Sequence, residues 1–274
     1  MQFLDRLIHK TLRIPYTLYV HEYRRVKKAK TTLVLLHGVG ASGAAWEAVL
    51  EKIKNDPVNI LVVDLLGFGK SPKPEWAQYS AEMQSRALSK TLFLKGVLGR
   101  VTLVGHSMGA LIAVEFAKRK SRFVRSLVLL SPPLYDDKTN GYLPDRDEQL
   151  LKIYSLATNH PDYLIKIGAL AKKYGLVGRA FVVSPDTVDD YISALKAAVI
   201  NQTSLEDITH LDVPISIVYG TLDPFIVGAN IKKISKNCSN INVQTFIGGH
   251  ELEGRYVQFA VRAVQGQYEV GNNG

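Results

Sequence analysis

The architecture of this chain can be worked out from residues 101–120, Val-Thr-Leu-Val-Gly-His-Ser-Met-Gly-Ala-Leu-Ile-Ala-Val-Glu-Phe-Ala-Lys-Arg-Lys. The first four residues form an apolar run typical of a buried strand, and residues 107–120 carry a helical pattern. Between them, Gly105-His106-Ser107-Met108-Gly109 predicts a sharp strand-to-helix turn in which side chains at either glycine would crowd the backbone. This turn lifts the Ser107 hydroxyl to the carboxyl end of the strand, where ligands bind in α/β sheets.

The same alternation of strand and helix patterns continues on both sides of this stretch. The predicted strands are short apolar runs that end in polar or glycine-rich turns: Leu33–Leu36, Ile60–Val63, Val101–Val104, Leu127–Leu130, Ile215–Tyr219 and Ile241–Ile247. Helical patterns lie near 44–54, 80–98, 107–120, 226–236 and 253–264, and an alternating stretch at Tyr16–Tyr23 predicts an edge strand. Strands alternating with helices predict a doubly wound, mostly parallel α/β sheet.

The alternation stops between Pro132 and Leu211. These 80 residues carry helical patterns around 146–158, 161–174 and 186–201 and no convincing core strand. An ordinary crossover needs far fewer residues. We therefore predict that residues 132–211, the cap segment, form a helical cap over one end of the sheet. Residues 1–131 and 212–274 form the core.

A serine becomes a useful nucleophile only beside a base, and the base needs an acid that orients it. His250 lies on the loop after the last predicted strand, and Asp223 follows the strand before it. Both loops are expected at the same edge of the sheet as Ser107. The chain order Ser107, Asp223, His250 therefore predicts a catalytic triad. Asp136 and Asp137 are an alternative position for the acid.

Backbone N–H groups are expected to hold the oxyanion of such a reaction. One belongs to Met108, the residue after the nucleophile, and the other to Val39, behind the strand that ends at His37-Gly38. Losing one such donor costs about 2.7–4 kcal/mol of barrier stabilisation. The run Gly38-Val39-Gly40 could equally be a plain strand-to-helix turn. The residues predicted to support these motifs structurally are His37, Gly38, Gly105, His106 and Gly109.

Length and composition exclude several classes of protein. The 274 residues, 46% of them hydrophobic, suit one folded α/β domain with an insertion and not a disordered chain. No apolar run approaches the roughly 20 residues of a transmembrane segment. Residues 1–10 have no uninterrupted apolar core of signal-peptide type, and the single Cys238 excludes an internal disulfide or a multi-cysteine zinc site. We expect a cytoplasmic protein without metal or cofactor.

The formal net charge of +9 is unevenly distributed. Residues 1–30 carry eight Lys and Arg against two Asp and Glu, whereas the cap segment carries eight against eleven. A dense group of cations closes the helix after Ser107: Lys118, Arg119, Lys120, Arg122 and Arg125. We interpret this group as a solvated helix end and not as a phosphate-binding patch. A basic stripe with interleaved aromatic residues is absent, so no nucleic-acid site is expected.

The first fourteen residues predict a short amphipathic helix. Leu4, Leu7, Ile8 and Leu12 share one helical face, and the cations lie elsewhere on it. A helix of this length more often docks on its own domain. The alternative hypothesis is a weak contact of residues 1–30 with an anionic surface.

The sequence resembles the α/β-hydrolase superfamily from about Tyr16 to Val264. The resemblance rests on His37-Gly38 with Trp46 downstream, Asp64-Leu-Leu-Gly-Phe-Gly-Lys-Ser71, Gly105–Gly109, Gly220-Thr-Leu-Asp223 and Gly249-His250. It implies a mostly parallel sheet of eight strands with a helical cap after the sixth. Few residues separate Tyr16 from Leu33, so a sheet of seven strands is the alternative. It also implies acyl-enzyme hydrolysis by Ser107, His250 and Asp223.

Within the superfamily, the chain resembles the capped group of small esterases, lactonases, cofactor-free perhydrolases and carbon–carbon bond hydrolases. Epoxide hydrolases and haloalkane dehalogenases have aspartate where this chain has Ser107, which argues against both. Glu251 after His250 disfavours a carbon–carbon bond hydrolase, in which an aromatic residue often stands there.

Our hypothesis is a serine hydrolase of small to medium carboxylic esters, monomeric or homodimeric. A lactonase or a meta-cleavage product hydrolase with the same triad is the alternative. A ligand receptor on a hydrolase fold is the alternative from another class.

Overall fold

The computed structural model describes residues 2–135, 149, 152, 155, 159–173 and 182–269. Within them, seven strands form one sheet in the order β1-β3-β2-β4-β5-β6-β7. The strands are β1 (Tyr19–Arg24), β2 (Thr32–Leu36), β3 (Asn59–Asp64), β4 (Val101–His106), β5 (Val124–Leu130), β6 (Ile215–Gly220) and β7 (Ile241–Phe246). β1 pairs with β3 antiparallel, and all other neighbouring strands are parallel. The predicted α/β class with a mostly parallel sheet is confirmed.

The strand count fixes where the cap segment enters. Only β1 precedes β2, so the segment follows the fifth strand of this sheet and not the sixth. β1 lies at the sheet edge, as its alternating pattern predicted, and its residues are only partly buried.

Helices lie between the strands in the order that the periodicity predicts. They are α1 (Gln2–Asp5, continued as a π-helix by Arg6–Thr11), α2 (Glu47–Lys52), α3 (Ala81–Leu94), α4 (Met108–Lys120), α5 (Pro161–Lys173), α6 (Val188–Ala194, continued by Leu195–Ile200), α7 (Ser204–Asp207), α8 (Gly228–Asn237) and α9 (Arg255–Glu269). Helices α5 to α7 belong to the cap segment. The predicted helix around 146–158 falls mostly outside the described residues.

Both faces of the sheet are covered. In β2, Val34 and Leu36 pack into one hydrophobic core with α3 and α4, while Leu33 and Leu35 pack into a second core with α2 and α9. All four side chains are at most 1% exposed. Side chains alternate across a strand, so a strand covered on both faces must be apolar at every position. This explains why the strands appear in the sequence as unbroken apolar runs.

The strand order creates a crevice at one edge of the sheet. β2 and β4 are neighbours, but the chain continues from β2 to β3 on one side and from β4 to β5 on the other. In open α/β sheets, ligands bind at the carboxyl ends of the strands, where the strand order reverses in this way. The loops that begin there carry Gly38-Val39 after β2 and Ser107 after β4.

Two kinds of feature are absent from the described ranges. No helix there is long and apolar enough to cross a bilayer. The same ranges contain no group of three or more His, Cys, Asp or Glu side chains that could hold a metal ion. An enzyme without metal or cofactor stays a prediction.

Candidate active site

The turn between β4 and α4 forces Ser107 into an unusual backbone conformation, with φ 54° and ψ −121°. The turn requires small residues on both sides of the serine. A Cβ added to Gly105 would lie 2.4 Å from the carbonyl oxygen of Gly109, and one added to Gly109 would lie 2.2 Å from that of Leu36. The Ser107 N–H donates to the Leu130 carbonyl oxygen at 2.9 Å, which ties the turn to β5. Ser107 thus stands at the carboxyl edge of the sheet, 9% exposed.

Asp223 and His250 meet at the same edge. His250 Nδ1 and Asp223 Oδ2 are 2.7 Å apart, and the Asp223 side chain is fully buried. The loops after β6 and β7 reach this distance because they pack tightly. A Cβ on Gly220 would lie 2.1 Å from the Gly248 carbonyl oxygen, so only glycine fits at position 220.

Hydrogen bonds hold the Asp223 carboxylate in its ionised form. Burial by itself opposes ionisation, but the hydrogen bonds of the carboxylate, above all the one with His250, outweigh it and hold the pKa of Asp223 below its usual range. Phe225 donates its backbone N–H to Asp223 Oδ1 at 2.9 Å, and its ring meets the His250 ring edge to face at 5.0 Å. The acid is therefore ionised and fixed at both oxygens.

Two residues that the sequence reasoning missed support this acid. The Ser131 hydroxyl, at the end of β5, also hydrogen-bonds the Asp223 carboxylate. Tyr256 on α9 donates to Ser131 Oγ at 2.9 Å and to the Val218 carbonyl oxygen at 3.0 Å. Ser131 could have been noticed as a polar residue that ends an apolar run beside the nucleophile strand. Nothing in the sequence identifies Tyr256, which lies 125 residues away from Ser131.

His106 connects the nucleophile turn to the histidine loop. Its Nε2 donates to the His250 carbonyl oxygen at 2.9 Å, and the two rings are 5.0 Å apart. Burial, reinforced by the neighbouring His250, lowers the pKa of His106 to about 3, so its ring is neutral. In the described part of the chain, no hydrogen bond joins the Ser107 hydroxyl to His250. Such bonds are often long before substrate binds.

Hydrogen bonds of His37 orient the backbone of the loop after β2. The Leu65 N–H donates to His37 Nε2 at 2.9 Å, so the proton of the neutral ring is on Nδ1, which donates to the Gly38 carbonyl oxygen at 2.7 Å. Burial lowers the pKa of His37 to about 4 and keeps it neutral. The peptide bonds are trans, so the Gly38 carbonyl and the Val39 N–H point in opposite directions. The Val39 N–H is therefore directed away from the His37 ring.

The loop after β2 lies against Ser107 and is hydrogen-bonded to the cap segment. A Cβ on Gly38 would lie 3.1 Å from the Cβ of Ser107, which shows how closely the loop approaches the turn. The Val182 N–H donates to the Gly40 carbonyl oxygen at 2.7 Å. The predicted oxyanion residues Val39 and Met108 therefore both lie next to Ser107.

The described aromatic residues of the cap segment differ in position. Tyr135 is buried and donates to the Phe225 carbonyl oxygen at 2.8 Å. Burial and the charge of Glu251 raise the pKa of Tyr191 to about 12, so Tyr191 lies near the histidine loop. Tyr163 is 65% exposed and lines no buried pocket. The alternative acids, Asp136 and Asp137, fall outside the described residues.

The cations at the end of α4 are partly neutralised by acidic residues. Lys118 lies 2.8 Å from Asp207 of the cap segment, and their hydrogen bond raises the pKa of Lys118. Arg119 pairs with Glu82 at 3.1 Å and also with Glu115. These pairs support a solvated helix end rather than a phosphate-binding patch.

Comparisons with known proteins match most of this chain to one family. A family model described as alpha/beta hydrolase fold matches residues 31–252. The chain is 33% identical over 122 residues to the probable lysophospholipase BODYGUARD 4 of Arabidopsis thaliana, covering 44% of this chain and 29% of that protein. It is 29% identical over 146 residues to Lipase 3 of Moraxella sp. (strain TA144), covering 49% of this chain and 46% of the lipase. The matches thus span less than half the length of either relative.

The solved structure of a thermophilic esterase from Thermogutta terrifontis is similar to this protein over most of the chain. It matches with a TM-score of 0.70 and 17% sequence identity, covering 92% of this chain and 93% of the esterase. Similarity at this level of identity concerns the fold alone.

Proposed function

Since the chain belongs to the α/β-hydrolase fold family, we propose that it is a serine hydrolase of small to medium carboxylic esters. In this proposal Ser107 is the nucleophile, His250 the general base and Asp223 the acid that orients it. The observation that carries the proposal is the 2.7 Å hydrogen bond between His250 and Asp223, at the same sheet edge as Ser107. The family includes many chemistries, so the ester substrate and the triad are our inference from the site.

The protonation states support His250 as the base. An ionised carboxylate only accepts hydrogen bonds, so the proton in the bond to Asp223 belongs to Nδ1. The neutral His250 ring then carries its lone pair on Nε2. That nitrogen is the atom that takes the proton of Ser107 in a triad. Asp223 stabilises the imidazolium that forms without becoming protonated itself.

The backbone around Ser107 supplies donors for the oxyanion. The Met108 N–H lies at the first residue of α4, where the positive end of the helix dipole also stabilises negative charge. The Val39 N–H is turned away from His37 by the hydrogen bond between His37 and the Gly38 carbonyl. We propose that these two N–H groups bind the oxyanion, and that His37 is a positioning residue for one of them.

The reaction then proceeds in two balanced steps. Ser107 Oγ attacks the ester carbonyl while His250 Nε2 accepts its proton, and the proton passes to the departing alcohol as the carbon–oxygen bond breaks. A water molecule next gives a proton to His250 and attacks the acyl-enzyme. The proton returns to Ser107 Oγ as the carboxylic acid leaves.

We propose that residues 132–211 cap this site and that residues 1–131 with 212–274 form the hydrolase core. The described contacts of the cap segment support this arrangement, because they reach loops at the carboxyl edge. Asp190 accepts a hydrogen bond from Tyr79 at 2.7 Å, and Ser193 donates to the Ala77 carbonyl oxygen at 3.1 Å. The relatives named as a lipase and a probable lysophospholipase make lipid-like acyl chains a substrate class to test.

A panel of p-nitrophenyl esters of increasing acyl length tests the proposal. We expect Ser107→Ala to abolish hydrolysis and labelling by a fluorophosphonate probe. Ser121→Ala, at an exposed serine beyond the far end of α4, should retain both. Hydrolysis that survives Ser107→Ala, or a label mapped by mass spectrometry to another serine, would refute it.

Three further substrates distinguish which class of bond is cleaved. A lysophospholipid, an acyl-homoserine lactone and a ring-fission dienoate should be measured beside the esters. Faster turnover of the lactone or the dienoate would replace the ester assignment while keeping the triad. A labelled Ser107 without turnover of any of them would favour a receptor.

A further inference from the structure

The amino-terminal helix presents its apolar residues to solvent. Six of the sixteen large hydrophobic side chains that are exposed in the described residues lie between positions 3 and 14. They are Phe3 (78% exposed), Leu4 (59%), Leu7 (38%), Ile8 (36%), Leu12 (60%) and Ile14 (42%). An apolar helix face normally packs on the domain. Leu4, Leu7, Ile8 and Leu12 therefore do not make the contacts by which this helix docks on its own domain.

A polar contact attaches the helix to the domain instead. The Asp5 carboxylate accepts hydrogen bonds from the Tyr16 hydroxyl at 2.7 Å and from the Trp76 indole N–H at 2.9 Å. A surface groove of about 480 Å³ remains between the helix and the loop at Pro72–Trp76. The His9 ring also stacks on the Tyr16 ring at 3.6 Å. The helix is thus held by polar and aromatic contacts, and most of its apolar side chains remain exposed to solvent.

Cations accompany these apolar side chains. Arg6, Lys10 and Arg13 are all exposed within the same segment. Asp5 is the one acidic residue among positions 2–14, so this segment has a net charge of +2. Exposed apolar side chains flanked by Lys and Arg are typical of helices that lie in the surface of an anionic bilayer.

The helix is attached to a loop that begins at the carboxyl edge of the sheet, the edge that carries Ser107. Trp76 belongs to the loop that leaves the carboxyl end of β3. Three residues further on, Tyr79 in the same loop donates to Asp190 of the cap segment. A surface that binds this helix would therefore also face the cap segment.

We propose that residues 2–14 bind the surface of an anionic lipid bilayer, with their apolar side chains inserted among the headgroups. A second copy of the chain fits this face poorly, because two copies of residues 2–14, each with three Lys and Arg against one Asp, would repel one another. An anionic bilayer instead matches both the charge and the exposed apolar surface. The proposal goes beyond the proposed hydrolase activity and does not depend on it.

Vesicle co-sedimentation tests the proposal with the full chain. Wild-type protein should bind vesicles of phosphatidylcholine and phosphatidylglycerol more tightly than phosphatidylcholine alone. Phe3→Ser with Leu4→Ser should lower the partition coefficient by roughly tenfold or more. Charge removal by Arg6→Gln with Lys10→Gln should weaken binding to the anionic vesicles by about fivefold for each cation removed.

A matched control is available on α3. Phe93 and Leu94 are 70% and 58% exposed, nearly the same as Phe3 and Leu4. On the same helix, Arg86 donates to the Arg13 carbonyl oxygen. Phe93 and Leu94 lie seven and eight residues after Arg86, which places them about 11 Å along the helix from this contact. Phe93→Ser with Leu94→Ser should leave binding unchanged, and an equal loss in both double variants would overturn the assignment to residues 2–14.

Two more measurements keep the outcomes distinct. Ser107→Ala should bind vesicles like wild type, which separates this proposal from the proposed catalysis. Thermal unfolding of each variant should match wild type, because the substituted side chains are exposed. Failure of wild type to bind the anionic vesicles would overturn the proposal. A dimer seen by sedimentation velocity and lost in the Phe3/Leu4 variant would overturn it in favour of a second copy.

Discussion

The buried His37 ring makes two hydrogen bonds, and substitution by asparagine or by glutamine tests them one at a time. His37 Nδ1 donates to the Gly38 carbonyl oxygen, and His37 Nε2 accepts from the Leu65 N–H. The asparagine amide nitrogen can take the place of Nδ1, and the glutamine amide oxygen that of Nε2. His37→Asn therefore keeps the bond that orients the Gly38–Val39 peptide, whereas His37→Gln keeps only the bond to Leu65.

The expected losses of activity and of stability follow from the hydrogen-bonding group that each variant leaves without a partner. In His37→Gln the Gly38–Val39 peptide can turn, so the loss approaches that of one oxyanion donor, about 2.7–4 kcal/mol or 10²–10³-fold in kcat. In His37→Asn the Leu65 N–H is left buried without an acceptor, which costs about 1–3 kcal/mol of unfolding free energy. A chain of this size loses about 2–4 °C in Tm for each kcal/mol.

Steady-state hydrolysis of a short p-nitrophenyl ester and thermal unfolding followed by circular dichroism measure the two effects. We expect His37→Gln to lower kcat with little change in KM, and His37→Asn to lower Tm while keeping most of the activity. Equal kcat values in the two variants, with both folded, would refute the assignment of His37 as the residue that orients Val39. A rise in KM alone would also contradict it, because an oxyanion donor acts mainly in the transition state.

Three further predictions concern the acid and the buried histidines. Asp223→Asn should lower kcat by about 10⁴-fold through the wrong His250 tautomer. Because the folded pKa of Asp223 lies below its usual 3.8, its contribution to stability is present above about pH 4 and is lost as the pH falls further, so Tm between about pH 5 and pH 2 should fall less in the variant. Ser131→Ala should lower the urea unfolding free energy by about 1–3 kcal/mol, since it removes a hydrogen bond to a buried carboxylate, and Tyr256→Phe should follow in the same direction; unchanged stability in both would contradict the network. The pKa values of His37 and His106 in the folded protein are lowered to about 4 and about 3. In the unfolded chain a histidine has a pKa of about 6.5, so between about pH 6.5 and pH 5 these two rings bind protons only in the unfolded chain. Unfolding free energy should therefore fall from pH 6.5 toward pH 5 by about 1.4 kcal/mol per pH unit for each ring, and His106→Gln should reduce that slope.

The sheet could be predicted well because burial leaves little choice of residue. Strands covered on both faces must be apolar throughout, so each predicted run overlaps an observed strand. The exceptions are polar positions. β5 begins at Val124, three residues before the predicted run, because Arg125 is exposed and Ser126 hydrogen-bonds Thr102 of β4. β1 begins only at Tyr19, since the Leu18 N–H donates to the Thr91 hydroxyl on α3.

The residues of the candidate site could be predicted only where each directly follows the end of a strand. Ser107, Asp223 and His250 each follow a strand, so parallel topology brings them to one edge. The support of Asp223 by Ser131 and Tyr256 depends on side-chain directions across β5, β6 and α9, which no local pattern encodes. The contacts of the amino-terminal helix could not be predicted for a related reason: its apolar pattern does not show that Asp5, and not the leucines, bonds to the domain.

Two neighbouring strands end in serines with positive φ, Ser107 at 54° after β4 and Ser131 at 46° after β5. Such conformations cost about 1–3 kcal/mol each in a residue other than glycine. Ser107→Gly is therefore expected to raise the free energy of unfolding by about 1 kcal/mol, even though glycine also increases the conformational entropy of the unfolded chain. For protein engineering this makes the apex of the turn a position where heat resistance and turnover oppose each other. A library screened for thermostability alone would select the loss of the very hydroxyl that the proposed chemistry needs.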